Sequence, residues 1–404
     1  MKDVGIVMPV YKQVPRYLNL AIRSVLKQSY RNFHLVIVSD GAPSETVSLI
    51  KRVVAGDPRV HLIVKEQNQG VAKALNTGFD HIMTLDEVRF LTWVSSDNIY
   101  YPNYIERLRI VLKSSPENVG LSYSCFRHID ADGNYLTEPS LEDFKIFQSQ
   151  PREKLIDSCF IGVSFMYRKK FAQLIKGYQV EPVEDYEYWL RLTEVCDIVY
   201  LPDVLMEYRT NSPLSISAQL NKSKSEKRRW RYYYQLVKQQ ARTRRNIPPM
   251  LSIIIPVESN FGIRAEQLEF ILEQSFSNFN IYIIDLTQQQ KLSIQLQHIK
   301  DPRISFYNYP KVTKEVAIRK GLKLVNSPLT IIYGKGDDYS KVWTLNNLVN
   351  TYHASPIKGS SNAALINDIK SLKTMTIYKT NILKRFMTRT NQRIKNRNVL
   401  KRRK

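Results

Sequence analysis

The sequence predicts an α/β protein whose mixed, mostly parallel sheet carries helices on both faces. Three observations predict it. Short continuous apolar runs recur, as at Val4 to Val10 and His34 to Ser39, and such runs read as strands buried on both sides. Between these two lie Leu18, Ala21, Ile22, Val25 and Leu26, whose spacing marks one face of a helix. Strand and helix then alternate along the chain, the rhythm of parallel strands joined by crossover helices.

The elements follow in order. Val4 to Val10 is the first strand, followed by the helix around Leu18 to Leu26 and a second strand at His34 to Ser39. A third strand is expected at Val60 to Val64, a helix at Gly70 to Asp80 and a fourth strand at Arg89 to Val94. Ligands of such sheets bind at the carboxyl ends of the strands. Those ends hold Pro9-Val10-Tyr11, Ser39-Asp40-Gly41 and Ser95-Ser96-Asp97-Asn98. Further on, Asp132-Gly133-Asn134 reads as a turn and Ile161 to Arg168 as a strand reaching the same end. Val183-Glu184-Asp185 then opens an amphipathic helix in which Trp189, Leu190 and Leu192 can bury. An acid there is favoured by the helix dipole and by backbone donors, which should keep Asp185 ionised as a candidate general base.

Composition narrows the class. With 404 residues, 43% of them hydrophobic, the chain has material for two or three domains. Cys125, Cys159 and Cys196 are far apart, odd in number and without CxxC spacing, so neither a disulfide framework nor a zinc site is indicated. No stretch approaches the ~20 apolar residues of a membrane span, and the N-terminus lacks a signal-peptide pattern. A cytoplasmic protein, soluble or peripheral at the membrane, is expected. The net charge of +23 is concentrated, nineteen of it lying between Gln219 and Asn246 and between Lys384 and Lys404. Such runs read as solvated helix or tail, or as a footprint for an anionic membrane or polymer. No nucleic-acid-reading module is present, so nucleic acid is not an expected partner.

Five ordered blocks over about the first 215 residues resemble the family 2 glycosyltransferases. Pro9-Val10-Tyr11-Lys12 is similar to the family's PxYN, Ser24 to Tyr30 to its S(V/I)LxQ(S/T)(Y/F), and Asn68-Gln69-Gly70 through Ala74, Asn76 and Gly78 to its NxGxxxAxNxG. The resemblance implies the GT-A fold and a sugar-nucleotide donor. It implies that Asp40, matching the second aspartate of DDGS, meets the nucleotide base. Asp97, matching the last aspartate of DxD, would hold Mg²⁺ or Mn²⁺ on the donor diphosphate, and Asp185, matching the ED carboxylate, would be the base of an inverting reaction. Pro9, Tyr11, Asn68, Gly70, Lys73, Asn76, Ser96 and Arg209 are the other positions it assigns to the donor. Departures are Ser39 and Ser95 in place of the first aspartates of DDGS and DxD, and Asn211 where relatives carry histidine after Tyr208-Arg209.

The second half reads as an internal repeat. Leu251 to Val257 parallels Val4 to Val10, Ile271 to Phe279 parallels Val25 to Phe33, and Asp301 to Ile304 parallels Asp57 to Val60. The copy is degenerate: Leu286 stands at the place of Asp40 and Arg319 at that of Asn76, Tyr309-Pro310-Lys311 replaces the NxG block, and no ED helix follows. Asp337 and Asp338, adjacent acids at a strand end, read as turn caps in preference to a second metal site. The expected organisation is a catalytic GT-A domain at 1–217, a basic helical linker at 218–249, a truncated GT-A-like domain at 250–382 and a basic tail at 383–404.

The function expected is transfer of a sugar from a nucleotide diphosphate to a hydroxyl of a glycan or carrier lipid, in surface polysaccharide synthesis. The alternative is an impaired, donor-binding pseudoenzyme acting as a scaffold, with the second sheet as a docking or dimerisation surface. A sugar nucleotidylyltransferase is disfavoured, because Tyr11-Lys12-Gln13-Val14-Pro15 stands where its Gly-rich basic loop would be.

Overall fold

Alternate residues of the first strand feed two different cores, and this fixes the layers. In the computed structural model β1 spans Val4–Val10. Its Val4, Ile6, Met8 and Val10 pack with Leu18, Ala21, Ile22 and Val25 on one face, while Val7 joins Ala74 and Leu75 on the other. A strand apolar on both sides must be covered on both sides. The structure describes residues 1–388 apart from 211, 213, 215–217, 220–221, 259–261, 289–290, 335–336, 355–376 and 386. Asn211 and the tail from 389 onward therefore lie outside the described residues.

Two compact units result, Met1–Ala241 and Arg242–Lys404. In the first, strands β1, β2 (Phe33–Asp40), β3 (Val60–Lys65), β4 (Phe90–Trp93), β5 (Ile99–Tyr100), β6 (Val119–Ile129), β7 (Phe165–Arg168) and β8 (Asp197–Arg209) form one sheet in the order β3-β2-β1-β4-β7-β6-β8-β5. The first four are parallel, and β7 enters antiparallel beside β4. Helices α1 (Pro15–Leu26), α2 (Ser44–Val54), α3 (Val71–Met83), α4 (Tyr104–Ser114), α5 (Leu141–Gln148), α6 (Lys169–Ala172) and α7 (Glu184–Leu192) complete the fold with α8 (Lys224–Arg244). The α/β class and the mostly parallel sheet expected from the sequence are what the structure shows. The strand expected over Ile161 to Arg168 is shorter, because Ile161 to Ser164 form a turn before β7. Gly78 lets α3 lie close on β1, since a Cβ there would stand 2.5 Å from Val7 Cγ1.

The second unit is a five-stranded sheet of β9 (Leu251–Val257), β10 (Phe279–Asp285), β11 (Ile304–Asn308), β12 (Leu329–Ile332) and β13 (Ile377–Lys379), in the order β11-β10-β9-β12-β13. Helices α9 (Ala265–Leu272), α10 (Lys291–Leu296), α11 (Lys314–Leu324) and α12 (Thr344–Ala354) lie between its strands. Its first four strands are parallel and β13 is antiparallel. Local contacts agree in detail with the first unit. Arg303 bonds Asp301 and the Leu272 carbonyl and lies over Phe279, as Arg59 does with Asp57, the Leu26 carbonyl and Phe33. Gln274 bridges to the carbonyls of Tyr339 and Lys341 and accepts from Leu345 N, as Gln28 bonds the Tyr101 carbonyl and accepts from Ile105 N. Asp338 accepts from Ser340 N and Asp337 from Gly334 N, so both acids cap a turn.

Candidate active site

Three strand ends supply the donor side. Val10 closes β1 opposite Ser39, and Asp40 closes β2 opposite Lys65 of β3. Asp40 is buried, and its carboxylate is fully used within the protein. Lys65 Nζ stands 2.5 Å from Oδ1, while Gln69 N and Gly70 N each donate to Oδ2 at 3.0 Å. Asn68 Nδ2 reaches the Asp40 carbonyl at 3.2 Å. Asp40 thus anchors the Asn68 to Gly70 turn that leads into α3. Ser39 lies beside it with a buried hydroxyl that has no partner among the described residues.

The Ser95 to Asn98 turn follows β4. Ser95 Oγ donates to Asp97 Oδ1 at 2.6 Å, and Gln13 Nε2 donates to Ser96 Oγ at 3.2 Å. Burial pushes the Asp97 carboxyl above its usual range, opposed by the Ser95 hydroxyl and the Arg209 guanidinium. Burial without full charge compensation favours a cation there. Magnesium-type ions at phosphate sites take one or two carboxylates together with substrate oxygens. Asp97, with the Ser95 hydroxyl beside it, fits that donor set; among the described residues no three acids, histidines or cysteines cluster to hold an ion by themselves.

The remaining donor positions separate. Pro9 sits within β1, and Tyr11 just beyond it is 41% exposed and open to a ligand. Lys73 lies on the solvent side of α3. Asn76 is committed elsewhere: its amide donates to Tyr178 O at 2.9 Å and accepts from Tyr178 N at 2.7 Å. Arg209 is buried at 3% exposure, donating to the carbonyls of Asp97, Asp130 and Ala131 and lying 4.2 Å from the Tyr17 ring centre. It braces the Asp97 turn from behind.

The segment leading to α7 is tied to this edge through Glu181. Its Oε1 accepts from Ala72 N at 2.8 Å, capping α3, and a Cβ at Gly70, whose φ is +95°, would stand 2.5 Å from the same oxygen. Only glycine lets the donor turn approach so closely. Three residues later α7 begins with Glu184 and Asp185. Glu184 is buried, its Oε2 has no partner among the described residues, and burial followed by the Asp185 charge pushes its carboxyl up to about 8. Asp185 is half-buried and accepts from Tyr186 N at 2.6 Å. The expectation of a comfortably ionised Asp185 is corrected here: burial outweighs the backbone hydrogen bonds and raises its carboxyl above the usual range.

Helix α8 walls the same place. Tyr234 stacks on Tyr186 at 4.8 Å between ring centres, its hydroxyl accepts from Cys159 N at 3.3 Å, and Trp230 stacks on Tyr234 at 4.6 Å. Burial first, then the Asp185 charge, push the Cys159 thiol up. Glu181, Glu184 and Tyr234 are not among the residues that sequence reasoning assigns to the site. Glu184 is visible as the second acid of the pair, whereas nothing local in the sequence marks Glu181 or Tyr234.

Residues 5–175 match the family described as glycosyl transferase family 2. An uncharacterized glycosyltransferase of Rickettsia conorii is 25% identical over 366 residues, covering 79% of this chain and 58% of the relative, so the chain spans little more than half of that protein's length. An Escherichia coli enzyme named as a UDP-Glc:α-D-GlcNAc-diphosphoundecaprenol β-1,3-glucosyltransferase is 28% identical over 230 residues, covering 56% of this chain and 83% of the enzyme. A solved mannosyltransferase of Pyrobaculum calidifontis, in complex with GDP-Man and Mn²⁺, has a TM-score of 0.43 at 16% identity, covering 60% of this chain and 64% of that one. No helix among the described residues is long and apolar enough to cross a membrane. Residues 5–175 of this chain thus carry a glycosyl transferase family 2 domain.

Proposed function

We propose that the first unit is an inverting, nucleotide-sugar-dependent glycosyltransferase in which Asp185 is the catalytic base. The observation that carries this reading is the Glu184–Asp185 pair, hung beside the donor turn by Glu181. Two neighbouring carboxyls withdrawn from water cannot both ionise cheaply, and burial holds both above their usual range. A carboxylate raised above its usual range is also a stronger base.

The acceptor hydroxyl gives its proton to Asp185 as its oxygen bonds to the anomeric carbon. The bond from that carbon to the diphosphate oxygen breaks on the opposite face, and the leaving group departs with the electron pair. Asp97 would hold Mg²⁺ or Mn²⁺, which when bound would supply charge neutralisation at the leaving group. Tyr11 and the Asn68 to Gly70 turn receive the nucleotide, and Asp40 shapes that turn. The acceptor is a hydroxyl of a glycan or of a carrier-lipid-linked sugar, a reading to which the undecaprenol-linked acceptor named for the Escherichia coli relative lends support. The second unit is a degenerate GT-A copy, supported by its matching strand order and arginine and glutamine clamps.

A donor-binding pseudoenzyme is the second reading. It is favoured by the full internal use of Asp40 and Arg209 and by Ser95 occupying one oxygen of Asp97. Calorimetry and hydrolysis assays on a panel of nucleotide sugars with Mg²⁺ or Mn²⁺ separate the two. Asp97→Ala should weaken metal-dependent donor binding, and Asp185→Asn should bind donor normally but lose turnover. Normal turnover by Asp185→Asn sinks the mechanism, and donor binding without turnover in the wild type supports the pseudoenzyme.

A further inference from the structure

The second unit holds a cleft that the transfer reaction does not use. It has a volume of about 780 Å³ and is lined by Val316, Arg319, Lys320, Leu322, Lys323 and, from the C-terminal segment, Lys384, Met387 and Thr388. Four of these are cationic and none is acidic. The three on α11 sit at positions 319, 320 and 323, so the helix turns one face of positive charge toward the opening. Among the described residues none of the four pairs with a carboxylate. Lys384 Nζ donates to the Val325 carbonyl at 2.8 Å, just past the end of α11, and Lys320 Nζ stands 4.0 Å from the Tyr309 ring centre. Arg319 donates to the Glu315 carbonyl at 3.4 Å.

The cleft is amphipathic. Val316 and the carbon stems of the four cations give its walls apolar surface, over a floor in which Leu322 and Met387 are buried. A purely hydrophilic polyanion would have no use for the apolar surface, and a nucleic acid would ask for exposed aromatic faces, which this lining lacks. A phospholipid headgroup presents a phosphate above an apolar glycerol and acyl boundary, which matches both parts. The sequence continues the same chemistry: from Lys384 to Lys404 it carries ten Lys or Arg and no acid. Runs of this kind beside an amphipathic surface bind anionic lipid.

We propose that the cleft between α11 and the C-terminal segment is a docking site for phosphate-bearing lipid headgroups, holding the protein on an anionic membrane surface. The proposal does not depend on the transfer reaction. It is tested with the full chain by sedimentation with phosphatidylcholine vesicles, with and without phosphatidylglycerol, at low and high salt. The wild type should bind only the phosphatidylglycerol vesicles and lose them at high salt. The triple variant Arg319→Gln, Lys320→Gln, Lys323→Gln should bind roughly a hundredfold more weakly, from about tenfold or less per cation. The exposed single change Lys323→Glu, which leaves the fold least disturbed, should weaken binding severalfold. Equal binding of neutral vesicles, wild-type affinity in a folded triple variant, or retention of RNA or polyphosphate without any vesicle binding overturns the proposal.

Discussion

Asn76 holds the backbone of Tyr178 from both sides, donating to its carbonyl at 2.9 Å and accepting from its amide at 2.7 Å. Helix α3 is thereby fastened to the segment that leads to α7. Gly177 makes the contact feasible, since a Cβ there would stand 2.3 Å from Asn76 Oδ1.

Asn76→Ala should therefore act on stability and on placement of the base. Leaving the Tyr178 backbone groups unpaired costs about 1–3 kcal/mol, read as a lower melting temperature and a smaller kcat. Donor affinity should be nearly unchanged. Wild-type stability combined with weakened donor binding would instead make Asn76 a donor contact.

Glu184 gives the fold a pH dependence of definite sign. The folded carboxyl titrates near 8 and an ordinary glutamate near 4.5, so between these values the native state binds more protons than the unfolded chain. Stability from this residue is fully present below about 4.5 and falls as pH rises toward 8, by a few kcal/mol at most. Melting temperature against pH should decline over that window in the wild type and much less in Glu184→Gln. Parallel curves for the two proteins would show that Glu184 is not the group responsible.

Arg209→Lys should be far from conservative. A lysine cannot reach the carbonyls of Asp97, Asp130 and Ala131 together, nor stack its head on Tyr17. A loss of about 2–3 kcal/mol by chemical denaturation is expected, with weaker metal-dependent donor binding as the Asp97 turn loosens. Donor binding lost at full stability would mean that Arg209 meets the diphosphate directly.

Much of this fold is legible in the order of the residues alone. Val4 to Val10 is apolar on both sides, and a strand of that kind admits few environments. Leu18, Ala21, Ile22 and Val25 bury where their spacing places them. The placement of a candidate residue is legible where it rests on a strand end, as Asp40 does at the end of β2. It is less legible where a side chain's partner comes from far along the sequence. Asn76 and Tyr178, or Glu181 and Ala72, are joined only by the tertiary fold, so the motif positions of Asn76 and Gly70 suggest ligand contacts where the structure shows protein contacts. In α8 the charge obscures a second pattern: Tyr234, Val237 and Ala241 recur at helical spacing and pack on the first unit's core beside Tyr186. Asp185 stands at the helix start expected, but burial there raises its carboxyl rather than holding it low.

The Glu181 side chain touches both halves of the site, capping α3 at Ala72 and closing against Gly70 a few residues before the Glu184–Asp185 pair. On the function proposed above, donor occupancy and base alignment are consequently linked quantities. Free energy released when a nucleotide orders the Gly70 turn is available to order the start of α7, and by thermodynamic reciprocity a well-set α7 tightens the turn around the donor. A single carboxylate with no part in the proposed bond-making step would thus couple readiness to react with the presence of something to transfer.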